Sequence, residues 1–545
     1  MKENPAGAFI NLSRRNFIKS VSIGAGTAAI ASLSSYEAMA ISPEQVPGWD
    51  VEADVVILGT GFAGQVSAIV AHDAGASVLV LEKAPEKHQG GNSRICGQLI
   101  WCPSEAILED SFQYLKAMTA GTGYPVPDEY LRFYVKGSHE NKTWFESMGA
   151  TMVPWMKPGT YVPFYPEFPG AEAIASEVAA YSVGGKYTGP GRVWYFLEDQ
   201  LKKKGIRKMY EAPGKKLIRD PATGEIRGVV AISKDREIYI KAKRAVIICT
   251  GGYEFNLQMI RDYIHIQEFA SPGSPYNTGD GIRMCMAVGA DLVNMGSSAA
   301  PWGPFCRFPD YLSSLYFFCL NGGHVRVGAD SRRYKDEYWE PPHGPWPGHK
   351  PEFCGMVKEN GAYRREKTPF PIHAIIDEKA RLSGPLWIGI GFPGQIEGFE
   401  CSKDNVKEIA KGYAVAADTI EGLALKINRD PVVLKDTVKR WNASCTAGTD
   451  REYGRTKNLT PISKPPFYAV KVIPSAINTQ GGMLRNIEGQ VINVFGRPVP
   501  RLYAAGECGD RVWANLYECT KNVGAGCMAV GRKAGANAAA EKSWT

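Results

Sequence analysis

The chain has 545 residues, of which 44% are hydrophobic and 22% are charged. That length suffices for about two or three domains that each bury a core. The 63 Lys and Arg residues exceed the 56 Asp and Glu residues by only seven, and no Lys/Arg cluster alternates with aromatic residues. This weak basic excess argues against a protein that binds nucleic acid.

Residues 1–40 are predicted to be an export signal. Residues 13–19 (SRRNFIK) carry a twin-arginine pattern, and an interrupted apolar run leads to a small-residue cleavage site at residues 38–40 (AMA). The run is too short to span a bilayer, which needs about 20 consecutive apolar residues. We therefore expect a periplasmic or otherwise extracytoplasmic protein that is exported already folded by the twin-arginine pathway and does not span the membrane.

The glycine-rich stretch at residues 54–64 (DVVILGTGFAG) predicts a buried strand, a tight turn and a helix. Gly59 permits the turn, Gly61 lets the backbone approach a pyrophosphate, and Gly64 lets the helix pack closely on the strand. The phosphates then lie at a helix N-terminus, where free N–H groups and the macrodipole favour negative charge. The stretch therefore predicts the phosphate-binding part of a dinucleotide site.

A second strand with a terminal acidic residue supports this prediction. Residues 77–81 (SVLVL) are typical of a buried parallel strand, and Glu82 follows them directly. An acidic side chain at this place can accept both hydroxyls of a ribose. The candidate residues of the dinucleotide site also include Phe62, Ala63 and Lys83.

The rest of the first half alternates between helical and strand patterns. A helical region is predicted to end near residue 149, and the Pro-, Gly- and Tyr-rich residues 150–190 are predicted to be an irregular loop. Residues 215–240 predict an antiparallel meander. Residues 245–252 predict another buried parallel strand that ends in a glycine turn, and a helix is predicted from residues 278–281 to about residue 289.

The composition changes near residue 298, where a stretch rich in Trp, Tyr and Phe begins and continues to about residue 350. An ordinary core would explain many aromatic residues. The prolines and glycines among them favour a lid instead. The chain is predicted to return to the first domain near residue 465.

Twelve cysteines are scattered along the chain without the spacing of a small disulfide scaffold. The sequence contains neither a CxxCH haem attachment motif nor a CxxC cluster for zinc or an iron–sulfur centre. Most of the cysteines are therefore expected to be buried thiols, and no metal site is predicted.

Several further motifs resemble one family, the flavoproteins that include soluble fumarate reductases, urocanate-type reductases and 3-ketosteroid dehydrogenases. The motifs are residues 90–93 (GGNS), 249–252 (CTGG), 278–281 (TGDG), 480–482 (QGG) and 502–507 (LYAAGE). The resemblance implies an α/β fold in which a Rossmann-like FAD-binding domain is made of two sequence segments with an inserted α+β capping domain. The implied boundaries are 1–40 for the signal, 50–298 and 465–545 for the FAD-binding domain, and 299–464 for the cap.

The same resemblance implies that FAD is bound without a covalent bond. Members with covalent FAD attach it through a His at the place taken here by Gly91, and His88 lies slightly outside that place. The resemblance assigns Glu82 to the adenosine ribose, Glu507 to the ribityl chain, and the helix start at Gly524 and Ala525 to the pyrimidine end of the flavin. The other implied cofactor residues are Asn92, Ser93, Gly97, Leu217, Thr250, Gly251, Asp280 and Gly506.

The positions that hold charged groups in the dicarboxylate reductases differ in this chain. The Arg that grips a carboxylate corresponds to Glu518, and the His before the Gly-Gly pair corresponds to Asn478. The proton-delivering Arg corresponds to Pro341, and two relay positions correspond to Phe317 and Leu320. These differences argue against a fumarate reductase.

The 3-ketosteroid dehydrogenases fit better. Residues 100–103 (IWCP) and 302–304 (WGP) are similar to motifs of that group, and Tyr517 stands where its members hold a Tyr that polarises the steroid carbonyl. Tyr517 could instead be a packed core residue. The catalytic Tyr of the cap also corresponds to Pro341, which leaves Tyr338 and His343 as candidate proton-handling residues, each with a structural role as the alternative.

The sequence therefore predicts an FAD-dependent oxidoreductase acting on a carbon–carbon bond next to a carbonyl, as an enone reductase or a 3-ketosteroid-type dehydrogenase. Hydride would be exchanged with flavin N5, and the substrate would be a hydrophobic carbonyl-bearing small molecule. Electrons would pass through a separate cytochrome c or quinone-linked partner. Two alternatives remain open: a reductase of aryl-acrylates or other unsaturated acids, and a non-catalytic flavin electron-transfer protein.

Overall fold

A long mixed sheet runs through the larger part of the molecule. The computed structural model describes residues 40–545 except 122–125, 156, 160–162, 164, 178, 300–304, 318, 320–321, 338–355, 360–361, 366–370, 390–397, 474, 513–520 and 545. The order of strands across this sheet is Ala40–Ile41, Gly214–Arg219, Ile226–Ser233, Arg236–Ile248, Val51–Leu58, Val78–Leu81 and Arg207–Met209. Two further strands join it: Pro498–Ala504 pairs with Arg236–Ile248, and Gln490–Ile492 pairs with Pro498–Ala504.

The centre of this sheet is parallel and fully buried. Val51–Leu58 pairs in parallel with Val78–Leu81 on one side and with the end of Arg236–Ile248 on the other. Val55, Val56 and Ile57 are completely buried, as expected for a parallel strand that is covered on both faces. The structure confirms the predicted α/β fold class with a mainly parallel sheet.

Arg236–Ile248 is one long strand, although the sequence predicted two. Its first half pairs antiparallel with Ile226–Ser233, and its second half pairs in parallel with Val51–Leu58 and Pro498–Ala504. The register shifts between Ala242 and Ala245, which lets the strand change partners without ending.

Residues 150–190 are not wholly irregular, which corrects the predicted loop. Met152–Pro154 and Ala180–Val183 form a three-stranded antiparallel sheet with Ile100–Trp101, and a short helix spans Ala171–Ser176. Val183 and Ile174 are fully buried, so apolar packing orders this Pro- and Gly-rich region. Periodicity could not show this because each element is only a few residues long.

A smaller body follows residue 304. Its main sheet has the order His324–Val327, Ile372–Asp377, Phe467–Val472 and Val415–Ala417, and all of its pairs are antiparallel. Phe467–Val472 thus pairs with strands of the segment that was predicted to be the cap, although the sequence placed it after the return at residue 465. Shorter ladders of this body are Phe305–Arg307, Ser314–Phe317 and Trp387–Ile388, and Met356–Glu359 and Ala362–Arg365. Two further short ladders begin before residue 304: Leu292–Val293 with Gly482–Met483, and Ser298–Ala299 with Asn478–Thr479.

Helices cover both the larger part of the molecule and the smaller body, and local caps explain several of their ends. In Pro431–Ala447, the carboxylate of Asp430 accepts the amides of Val432 and Val433 at 2.8 and 3.0 Å, and Gly448 at φ 67° ends the helix. The other α-helices described are Phe62–Asp73, Gly91–Ile95, Leu108–Gly121, Asp128–His139, Asn141–Ser147, Ala171–Ser176, Arg192–Lys203, Leu257–Met259, Asp280–Ala287, Glu378–Arg381, Val406–Ala410, Ile420–Lys426 and Val530–Ala540. Wider π-helical turns span Ile260–Ile264 and Asn522–Ala529, and 3-10 turns span Pro43–Gln45, Glu86–His88 and Glu105–Ile107.

Ten of the twelve cysteines lie in the described part of the chain, and these ten are free thiols. Within the same residues, no group of three His, Cys, Asp or Glu side chains is placed to hold a metal ion. None of the described helices combines the length and the apolar character needed to cross a membrane.

Candidate cofactor and active site

The turn after strand Val51–Leu58 can be formed only by glycine. Gly59 has φ 108°, and a Cβ atom there would lie 2.3 Å from the carbonyl oxygen of Cys249, which directly follows the neighbouring strand Arg236–Ile248. A Cβ atom on Gly64 would lie 2.0 Å from the carbonyl oxygen of Gly59. Both distances are far inside van der Waals contact, so a side chain at either position would clash. Because both residues are glycines, the helix Phe62–Asp73 can start directly behind the strand.

The N-terminus of this helix borders a large cleft. Gly61 is its N-cap residue, and the Phe62 amide donates to Ser93 Oγ at 2.9 Å. The cleft has about 2010 Å³ of open space, part of it continuous with solvent, and both Gly61 and Ser93 line it. A helix N-terminus in such a place offers N–H groups and a favourable dipole to a pyrophosphate.

Glu82 is held at the end of its strand by hydrogen bonds from the glycine turn. Its Oε2 accepts the Thr60 amide at 3.1 Å and the Thr60 hydroxyl, and its Oε1 accepts the Ala84 amide at 2.8 Å. Thr60 Oγ1 in turn accepts the Gly90 amide at 2.9 Å. These bonds fix the carboxylate at the wall of the cleft, where its remaining lone pairs can accept ribose hydroxyls.

An ion pair lies at the same end of the cleft. Lys83 Nζ lies 2.7 Å from Asp280 Oδ2 and also donates to Thr278 Oγ1. Burial acts to raise the pKa of Asp280, but the charge and hydrogen bond of Lys83 outweigh it and leave this pKa below its ordinary value. Asp280 is therefore ionised at neutral pH, and Lys83 is not a free cation.

Asn92, Asn277 and Glu507 line another part of the cleft, and Glu254 and Asn522 lie behind them. Asn92 Nδ2 and Asn277 Nδ2 donate to Glu254 Oε1 at 2.8 and 2.7 Å, and Asn522 Nδ2 donates to Glu507 Oε1 at 3.2 Å. Burial and the nearby charge of Glu254 raise the pKa of Glu507 to about 8. Burial also raises the pKa of Glu254.

Three buried polar groups on the cleft wall have no hydrogen-bond partner in the part of the chain that the structure describes. Thr250 Oγ1, Ser274 Oγ and Asn478 Nδ2 form no hydrogen bond with the described residues, yet all three residues line the cleft. Buried polar groups are normally hydrogen-bonded, so these atoms are placed to form hydrogen bonds with a ligand. Together with the glycine turn, the helix N-terminus and Glu82, they fit a dinucleotide such as FAD.

Most of the predicted cofactor residues meet at this cleft. Those that line it are Gly59, Gly61, Phe62, Ala63, Glu82, Lys83, Gly91, Asn92, Ser93, Gly97, Thr250, Gly251, Asp280, Gly506 and Glu507. His88, which was considered for a covalent bond, is buried and contacts Tyr276 Oη through Nδ1 at 2.9 Å.

Four predicted residues do not line the cleft. Leu217 is fully buried in strand Gly214–Arg219, and the preceding Ala212, Pro213 and Gly214 line the cleft in its place. Gly64 serves the helix packing described above. Gly524 and Ala525 lie within the π-helical turn Asn522–Ala529, where a Cβ atom on Gly524 would lie 2.7 Å from the Trp101 carbonyl oxygen.

The predicted catalytic residues Tyr517, Tyr338 and His343 lie outside the described residues, as do Glu518, Pro341 and Leu320. Phe317 is described and 2% exposed, and its ring packs against those of His324 and Trp387. It is therefore an apolar core residue of the smaller body.

Sequence reasoning missed several residues of the site. Thr60, Ser274, Tyr276 and Asn277 line the cleft, and Glu254 is the carboxylate behind Asn92 and Asn277. Thr60 stands between two predicted glycines, so its position was a usable signal. Glu254 follows the Thr250-Gly251-Gly252 turn closely and could have been noticed as an acidic residue at a strand end, whereas nothing local marked Ser274.

Comparison with known proteins agrees with this geometry. A family model described as an FAD binding domain matches residues 54–515. The digoxin reductase of Eggerthella lenta is 27% identical over 586 aligned positions, which cover 98% of each chain. The non-catalytic alternative is set aside, because the relatives are dehydrogenases and reductases.

Two solved structures share the fold. A 3-ketosteroid Δ1-dehydrogenase from Sterolibacterium denitrificans, in complex with 1,4-androstadiene-3,17-dione, has a TM-score of 0.67 and 23% identity, covering 90% of this chain and 99% of that one. A flavocytochrome c3 fumarate reductase in an open conformation has a TM-score of 0.63 and 22% identity, covering 90% and 79%. The chain therefore belongs to the FAD-binding family that includes the 3-ketosteroid dehydrogenases and fumarate reductases, and it is an FAD-dependent oxidoreductase acting on CH–CH groups.

Proposed function

We propose that the protein acts on a carbon–carbon bond next to the carbonyl of a bulky, hydrophobic, uncharged molecule, as an enone reductase or a 3-ketosteroid-type dehydrogenase. One observation carries this proposal: Lys83 is the only cationic side chain among the described residues that line the cleft, and Asp280 neutralises it. A small dicarboxylate such as fumarate needs unpaired cations to offset its charge. Among the described residues that line the cleft, no unpaired cation is present.

The apolar part of the cleft wall supports the same substrate class. Ile95, Leu99, Trp155, Ile477 and Val523 all contribute to it. Side chains of this kind bind a ring system by burying its surface. The complex of the dehydrogenase from Sterolibacterium denitrificans contains a molecule of this class, a dione.

Carbonyl polarisation is the second part of the proposal. FAD, when bound, accepts or delivers the hydride. Tyr517 donates its hydroxyl proton to the substrate carbonyl and stabilises the enolate-like charge, and Tyr338 or His343 handles the proton on the adjacent carbon. These roles rest on the family resemblance of the positions.

The direct test is oxidation of a reduced dye with steroid enones, cinnamates and fumarate as acceptors. We expect turnover with one or more steroid enones and little with fumarate. Tyr517→Phe removes only a hydroxyl, so turnover should fall by on the order of 10²–10³, as for an oxyanion-hole donor, with a smaller change in substrate affinity.

Tyr195→Phe is the matched control, because Tyr195 is 48% exposed and its loss of a hydroxyl should leave turnover unchanged. Robust fumarate turnover, or a Tyr517→Phe enzyme as fast as the parent, would overturn the proposal. Turnover with cinnamates alone would favour the unsaturated-acid alternative.

The proposal includes export by the twin-arginine pathway and electron exchange with a separate cytochrome c or quinone-linked protein outside the inner membrane. The motif at residues 13–19 supports the export. Arg14→Lys combined with Arg15→Lys should leave folded, FAD-loaded protein in the cytoplasm, whereas Lys19→Arg should not. Normal appearance of the double variant in the periplasm would contradict the export.

A further inference from the structure

Glu254 is a buried side chain whose carboxyl oxygens contact three other segments of the chain. It is 2% exposed and does not line the cleft itself. Its Oε1 accepts the side-chain amides of Asn92 at 2.8 Å and Asn277 at 2.7 Å. Its Oε2 accepts the Thr479 hydroxyl at 3.3 Å. Glu254 therefore holds three distant segments against the glycine turn at residues 249–252, which directly precedes it.

Two of these partners carry the contact on into the cleft wall. The Oδ1 atom of Asn92 accepts the backbone amide of Ser274 at 2.7 Å, and the backbone amide of Asn277 donates to the Ser274 carbonyl oxygen at 3.1 Å. The side chain of Asn277 also packs on Gly251, where a Cβ atom would lie 3.1 Å from its carboxamide. All four residues line the cleft. Residues 274–277 are thus held to the wall at both ends.

The position of the carboxyl oxygens sets the position of both Asn side chains. Glu254 is the acceptor in all three bonds, so both Nδ2 groups turn toward it and the Oδ1 atoms are directed elsewhere. The carboxyl group also packs directly on its own turn, because a Cβ atom on Gly252 would lie 2.7 Å from Oε2. That contact leaves the group little room to shift.

The polar groups that are placed to bind a ligand lie on the segments that Glu254 joins. Thr250 belongs to the glycine turn, Ser274 is bound to Asn92, and Asn478 directly precedes Thr479. The distances between these three groups therefore depend on a side chain that does not line the cleft.

We propose that Glu254 is a positioning residue for FAD, whose carboxyl oxygens set the spacing of the cleft walls that bind the cofactor. Its three partners are neutral, so the location of the oxygens determines the effect, and the negative charge contributes little. FAD binding measures this role directly, and the proposal does not depend on the substrate class proposed above.

Two conservative variants separate position from charge. Glu254→Gln removes the charge but keeps the length and an oxygen for both Asn amides, while the Thr479 hydroxyl can accept from the new amide. Glu254→Asp keeps the charge but withdraws the oxygens by one methylene. We expect the FAD Kd to stay within about threefold of the parent in Glu254→Gln and to rise by on the order of tenfold or more in Glu254→Asp. Flavin fluorescence on serial dilution of the holoenzyme gives both values.

Glu408→Asp is the matched control. Glu408 is also a buried Glu with a neutral partner, at 5% exposure, and it accepts the Ser402 amide at 2.9 Å and the Ser402 hydroxyl. It belongs to the smaller body and does not line the cleft. Removal of the same methylene should lower the free energy of unfolding in urea and leave the FAD Kd of the folded protein unchanged.

A Glu254→Asp enzyme that binds FAD like the parent would overturn the proposal. A Glu254→Gln enzyme that binds as weakly as Glu254→Asp would overturn it too, because the charge would then explain the effect. The same holds if Glu408→Asp loses as much FAD affinity, since a general loss of stability would then suffice. If Glu254→Asp does not fold, Glu254→Gln decides: retained affinity supports the proposal, and a Kd more than about tenfold above the parent overturns it.

Discussion

The cofactor cleft and the smaller body are held together by opposite means. At the cleft, glycines bring backbone against backbone, and the contact between Gly59 and Cys249 leaves no room for a side chain. In the smaller body, a buried ion cluster joins distant segments: Arg333 binds Glu337 at 2.8 Å and Asp450 at 2.9 Å, and Arg455 binds Glu337 at 3.1 Å.

This difference predicts which substitutions each region tolerates. The cleft should be sensitive to added atoms, because its shape is set by absent side chains. The ion cluster should be sensitive to lost atoms, because the Arg333, Glu337, Asp450 and Arg455 side chains are at most 1% exposed and compensate one another. Substitutions that add atoms at the cleft should therefore change FAD binding, whereas substitutions that remove atoms from the ion cluster should change the free energy of unfolding.

The largest effect is expected from Gly59→Ala. The new Cβ atom meets the Cys249 carbonyl oxygen at 2.3 Å and forces the strand, the helix or both to move. We expect loss of bound FAD, measured as the ratio of flavin to protein absorbance after purification. Gly75→Ala is the control, because Gly75 also has a positive φ of 86°, but no described residue has an atom within 4 Å of its Cβ position. Full FAD content in Gly59→Ala would show that the cleft is not sensitive to added atoms.

Arg333→Met should destabilise the smaller body without changing the cleft. It leaves Glu337 and Asp450 buried without their bidentate partner, which costs about 3–5 kcal/mol. Urea unfolding would measure the loss, and FAD affinity of the folded fraction should be unchanged. Arg332→Met removes a neighbouring Arg that is 55% exposed and should cost little. An unfolding free energy equal to that of the parent would show that the cluster contributes nothing.

A smaller effect is expected from Glu82→Ala, which removes the predicted ribose acceptor without adding atoms to the cleft. Loss of a hydrogen bond to a charged group costs about 1.5–3 kcal/mol, so the FAD Kd should rise about tenfold to a hundredfold. Quenching of flavin fluorescence would follow binding. Glu86→Ala changes an exposed acidic residue of the same loop and should bind FAD like the parent. If both variants bind equally well, Glu82 does not belong to the site.

The cofactor cleft was the more predictable region because its signals are local. Gly59, Gly61 and Gly64 lie within six residues, and Glu82 ends the next strand. The motif at residues 249–252 follows a buried strand in the same way, and the motif at residues 502–507 spans the end of another. The wrong parts were short or shared elements, such as the loop predicted at residues 150–190 and the division of Arg236–Ile248 into two strands.

The amino-acid sequence by itself determined the fold class, the FAD cofactor and the family, because strand, turn and helix signals lie next to one another in the chain. Only the tertiary structure decided which distant side chains meet. Asn92 reaches Glu254 across 162 positions, and Arg333 reaches Asp450 across 117. Such pairs depend on how strands are ordered and helices are packed, and no local pattern encodes that. For the same reason the strand Phe467–Val472 was assigned to its sheet only by its hydrogen bonds to Ile372–Asp377.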